Sequence, residues 1–267
     1  MLTGFSAPHS PLGTSGIVPR PPWHNAGVLL AIEYWADPEV AAAWLPPGFL
    51  PAEDPGRCVA HWAEWQSTTD LNAELLDPCR GQYMEFFLLI DGMWQGQPAS
   101  FCPFMFVDTD INLYRGHLQG LAKHGGAIRM TRSYHVAGRA AAPLTAGTQI
   151  GATLSHRERR LIDAVAMLSQ PVDTPPIGLG TGKVLGLRRY PDLTAGAAGR
   201  PIISDLVSFT GYNRALANPW LGTASMTVYP SPAFEIEGLS PVQVGRACRY
   251  EMAFTVDAIQ HEQDVSL

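Results

Sequence analysis

Short apolar runs separated by turn residues dominate the chain, and their spacing predicts strands far more often than helices. Val28–Trp35 and Cys58–Gln66 combine apolar, β-branched and aromatic residues as strands do. Glu85–Ile90 and Ser100–Val107 are separated by Asp91-Gly92 and Gly96-Gln97-Pro98, which predicts a hairpin with a long loop. Ala127–Val136 reads as another strand. Gln149–His156 and Leu161–Leu168 flank the polar turn Arg157–Arg160 as a further hairpin, although the second run alone would also suit a helix. Lys183–Arg189, Pro201–Phe209, Ala224–Tyr229 and Arg249–Ala258 are the remaining predicted strands, with loops over Pro171–Gly182 and Pro191–Arg200.

Helix-start signals occur twice. Asp37-Pro38-Glu39 opens a helix through Trp44, because the aspartate accepts from free N–H groups and proline at the first helical position loses no bond. Pro46-Pro47-Gly48 ends it. Asp108-Thr109-Asp110 offers caps for a second helix through about Leu118, and Gly125-Gly126 closes that region. Residues 1–22 are rich in Pro, Gly and Ser and predict an extended arm. There is no internal repeat and no compositional break. The pattern predicts a single α+β domain over residues 1–267, mostly antiparallel β, with a closed or strongly curved sheet and a few short helices.

Composition narrows the function. Apolar residues make up 46% of the chain, enough for a sizeable core, and charged residues only 16%. A net charge of −6 without a basic cluster argues against nucleic acid or an anionic membrane as partner. No run of ~18 apolar residues could span a membrane, and Met1–Arg20 lacks the charge and apolar run of a signal peptide. The four cysteines are widely spaced. These features predict a cytoplasmic protein with free thiols.

The chemistry-bearing residues are few. The eight histidines are scattered, and His61 and Glu64, three apart on a strand, would face opposite ways, so no metal is expected. Gly178–Lys183 resembles a phosphate loop only superficially: Ile177 occupies the first glycine position and Val184 follows the lysine where Ser or Thr is needed. No Gly-x-Ser-x-Gly elbow exists, and Cys102 sits in an apolar run that suits a core.

Of 18 basic residues only two are lysines, Lys123 and Lys183. Lys123 lies in Gln119-Gly120-Leu121-Ala122-Lys123-His124-Gly125-Gly126, a small-residue and nearly uncharged stretch. An ammonium buried among such residues loses proton affinity, and the neutral amine can attack a ketone to give an iminium that acts as an electron sink. Composition alone leaves Lys123 open between such a nucleophile and a loop lysine.

Phe106-Val107-Asp108-Thr109-Asp110, followed by Gly120-Leu121-Ala122-Lys123-His124-Gly125, resembles the acetoacetate decarboxylase-like family. That family has an aromatic-Val-Asp-Asn-Asp strand end, a helix, and then Gly-aromatic-Pro-Lys-Lys-Leu-Gly. Tyr83-Met84-Glu85 is similar to its Tyr-x-Glu. Gly199-Arg200-Pro201 with Asp205-Leu206-Val207, Trp220–Ala224 and Arg249-Tyr250 resemble its later strands. The matches keep order and spacing from Trp23 to Val256.

The resemblance implies a curved β-rich fold, no cofactor, a homo-oligomer, and a Schiff base on Lys123, the first lysine of the family's pair. It places Glu85 in the active site as the proton-transfer group, with Tyr83 on the same strand face to orient it. His124 replaces the second lysine and Ala122 the preceding proline, and Trp23-His24-Asn25-Ala26 carries no arginine where the decarboxylases have one. Gln119 is similar to a branch that looks like pyruvate aldolase-dehydratases. On a helix it would share a face with Lys123, four residues on, and could hold a keto-acid carboxylate. A protonated His124 would depress the lysine further, and Tyr250 would reach the pocket as a proton donor. The expected activity is therefore a Schiff-base lyase that condenses a small 2-keto acid such as pyruvate with an aldehyde and dehydrates the adduct. The alternatives are decarboxylation of a 3-keto acid, a biosynthetic cyclase or dehydratase, and a non-catalytic binding protein.

Overall fold

A computed structural model describes residues 1–179, 182–197 and 199–266. In chain order the elements are β1 (Trp23–Trp35), α1 (Pro38–Ala43), β2 (Phe49–Pro51), β3 (Arg57–Thr68), α2 (Ala73–Leu76), α3 (Pro78–Gly81), β4 (Gln82–Trp94) and β5 (Gln97–Val107). Then come α4 (Asp110–Leu118), β6 (Lys123–Gly125), β7 (Ala127–Met130), β8 (Gln149–His156), β9 (Arg159–Pro171) and β10 (Lys183–Pro191). β11 (Pro201–Phe209), β12 (Tyr212–Val228), β13 (Gln243–Val256) and β14 (Gln260–Asp264) complete the chain.

All strands join one 14-stranded sheet in the order β14-β11-β10-β5-β4-β3-β1-β13-β12-β9-β8-β7, with β2 beside β4 and β6 beside β5. The mostly antiparallel α+β expectation is met. Closure is not: among the described residues, β14 and β7 end the path without pairing to each other. The sheet is mixed, because β5 pairs in parallel with both β10 and β6.

Local chemistry explains most elements. Asp37 Oδ1 accepts from the N–H groups of Glu39 and Val40, the cap predicted for α1. The β4–β5 hairpin differs from its predicted long loop. Gln95-Gly96 forms a two-residue turn with φ of 50° and 75°, and the strands run on to Trp94 and Gln97. Asp91 interrupts the apolar run yet stays in the strand, where it pairs with Arg57. Similarly, β12 runs back to Tyr212, and β7 is only Ala127–Met130 of the predicted Ala127–Val136.

β5 is divided along its length. Ala99–Phe101 pair with β10, and Met105–Val107 pair with β6. Pro103 lies between the halves and cannot donate to a ladder, so the neighbouring strand changes there. That change opens the edge on which β6, and with it Lys123, is hung.

The long strands are buried on both faces. One face of β3, β4 and β5 packs Trp62, Phe86, Leu88 and Phe106 into the main core with Ile128, Ile150 and Leu154. The other face carries Trp65, Tyr83, Phe87 and Met105 with Leu29 and Met252. Both faces are buried, which is why β4 reads as a near-continuous apolar run.

Candidate active site

The turn after α4 delivers the lysine. Gln119 caps the helix with its N–H bonded to the carbonyls of Arg115 and Gly116. Gly120 has φ 82°, a left-handed conformation, and packs so closely on Val207 that a Cβ would overlap it. The chain reverses, Leu121 N–H bonds Gly116 O at 2.9 Å, and β6 begins at Lys123. The aliphatic stem of Lys123 lies directly on Gly116, where any Cβ would collide with its Cγ, Cδ and Cε.

The lysine side chain is almost wholly buried, and its Nζ donates to Glu85 Oε1 at 2.6 Å. The second carboxylate oxygen, Oε2, accepts from Trp65 Nε1 at 2.9 Å. Trp65, rather than Tyr83, therefore orients Glu85. The Tyr83 ring lies 5.9 Å from the Lys123 Nζ, and its hydroxyl accepts from Arg115 Nη2 at 3.0 Å.

Arg115 was not singled out from the sequence, yet it is central here. It is 6% exposed, donates from Nη1 to Ser67 Oγ at 3.0 Å, and lies over the rings of Trp23 and Tyr83. Among the described residues no carboxylate pairs with it. Gln119, 9% exposed, lines the same chamber. Gln119 and Lys123 do not share a helical face as expected, since the helix ends at Leu118 and Lys123 begins β6. Arg115 and Gln119 themselves are four apart, however, so the spacing that drew attention to Gln119 pointed backwards to Arg115 as well.

These groups surround a cavity of ≈ 80 Å³. Its walls are largely apolar, among them Trp23, Phe87, Phe209 and Phe254. Burial, the largest influence, pushes the Lys123 amine below the usual lysine range, and the Arg115 guanidinium pushes it the same way, while Glu85 opposes them. Burial raises the Tyr83 phenol well above its ordinary value. The arrangement thus holds an amine with reduced proton affinity, a carboxylate at hydrogen-bond distance, and a cation with no carboxylate partner among the described residues.

Two of the expected site residues lie elsewhere. His124 follows Lys123 on a strand, so its ring faces the opposite way, 4.8 Å from Phe234 and 5.5 Å from Phe106. Its pKa is lowered, first by burial and then by His156 and His117, so the cation pressing on Lys123 is Arg115. Tyr250 is buried behind the chamber, where its hydroxyl accepts the N–H of Leu179 at 2.9 Å. Burial raises its pKa too. Gly180 and Thr181 of the glycine-rich loop fall outside the described residues, and Lys183 of that loop pairs with Glu262. Among the described residues no group of three or more His, Cys, Asp or Glu is placed to hold a metal ion, and no helix is long and apolar enough to cross a membrane.

The sequence profile described as Acetoacetate decarboxylase (ADC) matches residues 6–266. This chain belongs to the acetoacetate decarboxylase family. Among solved structures, one family neighbour is the enduracididine biosynthesis enzyme MppR, in complex with the condensation product of pyruvate and imidazole 4-carboxaldehyde. It is 30% identical with a TM-score of 0.92, covering 100% of this chain and 98% of that one. An acetoacetate decarboxylase-like enzyme from Sphingomonas wittichii RW1 is 22% identical with a TM-score of 0.89, covering 98% of this chain and 100% of the other. The acetoacetate decarboxylase of Legionella pneumophila subsp. pneumophila str. Philadelphia 1 shares the fold at 15% identity, with a TM-score of 0.74 and coverage of 92% and 89%. No curated protein sequence matches the chain. In this chain the Tyr-x-Glu of β4 and the lysine after α4 meet in one chamber.

Proposed function

We propose that Lys123 forms an imine with the ketone of a small 2-keto acid, and that the derived enamine condenses with an aldehyde and loses water. The observation that carries this reading is a buried amine, 2.6 Å from a carboxylate, sharing one cavity with a buried guanidinium that has no carboxylate partner among the described residues. A buried unpaired cation is costly, and an incoming carboxylate relieves that cost. Arg115, with Gln119 beside it, is therefore the seat for the keto-acid carboxylate, and the adjacent ketone faces the lysine.

Each step needs a proton moved at the lysine or at the substrate carbon next to it. The amine attacks as the free base. Glu85 takes the proton that Lys123 gives up and returns it to the departing carbonyl oxygen as water leaves. The same carboxylate then removes the proton whose loss converts iminium to enamine. After carbon–carbon bond formation it protonates the new alkoxide with that proton, removes a second proton from the same carbon, and returns it to the hydroxyl as water departs. Water hydrolyses the final imine and frees Lys123, so the balance is keto acid plus aldehyde giving unsaturated keto acid plus water, with no redox change. Support also comes from MppR, which is 30% identical over the whole chain and has been solved with pyruvate at 29% and with its aldehyde condensation product at 30%.

The test is borohydride reduction in the presence of pyruvate, read by intact mass and peptide mapping. One reduced pyruvate on Lys123 is expected, and none in Lys123→Ala. In parallel, pyruvate with an aldehyde and acetoacetate alone are supplied. Failure of any carbonyl compound to mark Lys123 ends the imine reading, and carbon dioxide from acetoacetate without any condensation product replaces it with decarboxylation.

A further inference from the structure

The Lys123 chamber is more positive than one keto acid can neutralise. Its charged lining residues are Glu85, Arg115, Lys123 and Arg214, one acid against three bases. The chain as a whole is at −6, so this excess is local. Arg115 is assigned above to the keto-acid carboxylate. Arg214 is left over.

Arg214 also lines a second, larger cavity of ≈ 650 Å³, and so stands where the two meet. Its Nη2 donates to the carbonyl of Leu179 at 2.6 Å, and Leu179 N–H donates to Tyr250 at 2.9 Å. The Leu179 peptide, which lines both cavities, is therefore pinned from two sides. Gly178 makes this possible, since a Cβ there would overlap the Tyr250 ring. Among the described residues no carboxylate pairs with Arg214, and burial lowers its hold on its proton.

We infer that the aldehyde partner carries a carboxylate of its own and that Arg214 receives it, a conclusion that rests on the imine reading above. With the keto acid bound as an iminium, Glu85 and one carboxylate face three cations. A second carboxylate brings the count to three against three. Carboxylate is also a better partner for a guanidinium than the Leu179 carbonyl, because it brings a full opposite charge and can accept two parallel N–H bonds from the planar fork. Binding of the acid then draws Arg214 from Leu179 and frees one of the two bonds that fix the peptide between the outer cavity and the chamber. The product of the reaction is an unsaturated keto dicarboxylate, formed with release of water alone.

The experiment compares 4-oxobutanoate with its methyl ester as the aldehyde, each with pyruvate, in the wild-type protein, in Arg214→Gln and in Arg214→Lys. The wild type is expected to favour the acid in kcat/KM, and Arg214→Gln to reduce the acid-to-ester ratio by about tenfold or more, the worth of one charge-assisted hydrogen bond. Arg214→Lys should keep part of the preference. Borohydride trapping of pyruvate on the wild type is run beside it. Imine formation with equal kcat/KM for acid and ester in the wild type overturns the inference and leaves the imine reading intact, as does a glutamine variant that lowers both substrates equally. Absence of the imine overturns both.

Discussion

The two faces of β4 obey opposite rules. Met84, Phe86, Leu88 and Ile90 point into the main core, where Trp62 meets Phe86 edge-on at a centroid distance of 5.0 Å. Tyr83, Glu85, Phe87 and Leu89 point the other way and line the chamber. Both faces are buried, yet it is the chamber face that holds Glu85, Lys123 and Arg115. Lys123 and His124 divide in the same manner on β6, one into the chamber and the next into an aromatic cluster. Burial alone therefore does not mark a functional surface here. What marks it is burial together with charge that the protein itself leaves unbalanced.

Substitutions on the two faces should separate stability from chemistry. The largest effect on folding is expected on the core face. Phe86→Ala removes a fully buried ring and should cost about 3–5 kcal/mol, read as a lower denaturation midpoint, while imine trapping in the folded fraction persists. An equal loss of trapping in fully folded protein would break the division. The next effect belongs to the chamber. Gly116→Ala places a methyl group against the Lys123 stem, and displacement of the amine by an ångström should slow trapping by roughly 10²-fold. Its thermal midpoint should move far less than that of Phe86→Ala.

A smaller and more diagnostic effect is expected in pH dependence. Trapping requires the free amine, so its rate rises with pH towards the Lys123 pKa, which burial and Arg115 hold below the ordinary 10.5. Arg115→Gln removes a charge that lowers this pKa, so the rising limb should move to higher pH. Glu85→Gln removes a charge that raises it, so the limb should move to lower pH. A shift in one common direction would show that one of the two charges does not act on the amine as the geometry requires.

Much of this was legible in the residues, for particular reasons. Lys123 stands out because an ammonium among small uncharged neighbours is unusual, which leaves it open between nucleophile and loop lysine; the family resemblance is what points to it as nucleophile, and it points to Glu85 through Tyr83-Met84-Glu85. Tyr83 was assigned to the right chamber but to the wrong partner, since strand alternation gives a face and not a contact. The true partner, Trp65, comes from β3, whose register against β4 pairs it with Tyr83 and sets its indole beside Glu85. Arg115 was missed because nothing in its local sequence, Leu113-Tyr114-Arg115-Gly116, says that it is buried. Its burial depends on Trp23, Ser67 and Tyr83, which are distant in the chain. The open sheet was equally unreadable, because closure depends on whether β14 and β7 meet, and each strand's pattern is the same either way.

The smallest effect is predicted at the residue next to the lysine. His124 occupies the second position of the family's lysine pair, and adjacency alone invites a role in depressing Lys123. Successive residues of a strand point to opposite faces, however, and the His124 ring packs with Phe106, His156 and Phe234 instead. Its own pKa is lowered by burial and by His156 and His117, so near neutral pH it carries little charge to exert on the amine. His124→Gln should therefore leave the pH limb of trapping in place and change its rate by no more than about twofold, since surface-type changes away from a site are worth about 0.5 kcal/mol or less. A shift of the limb to higher pH in this variant would mean that histidine charge reaches the amine through β6, and that the two faces of the sheet are electrostatically coupled rather than separate.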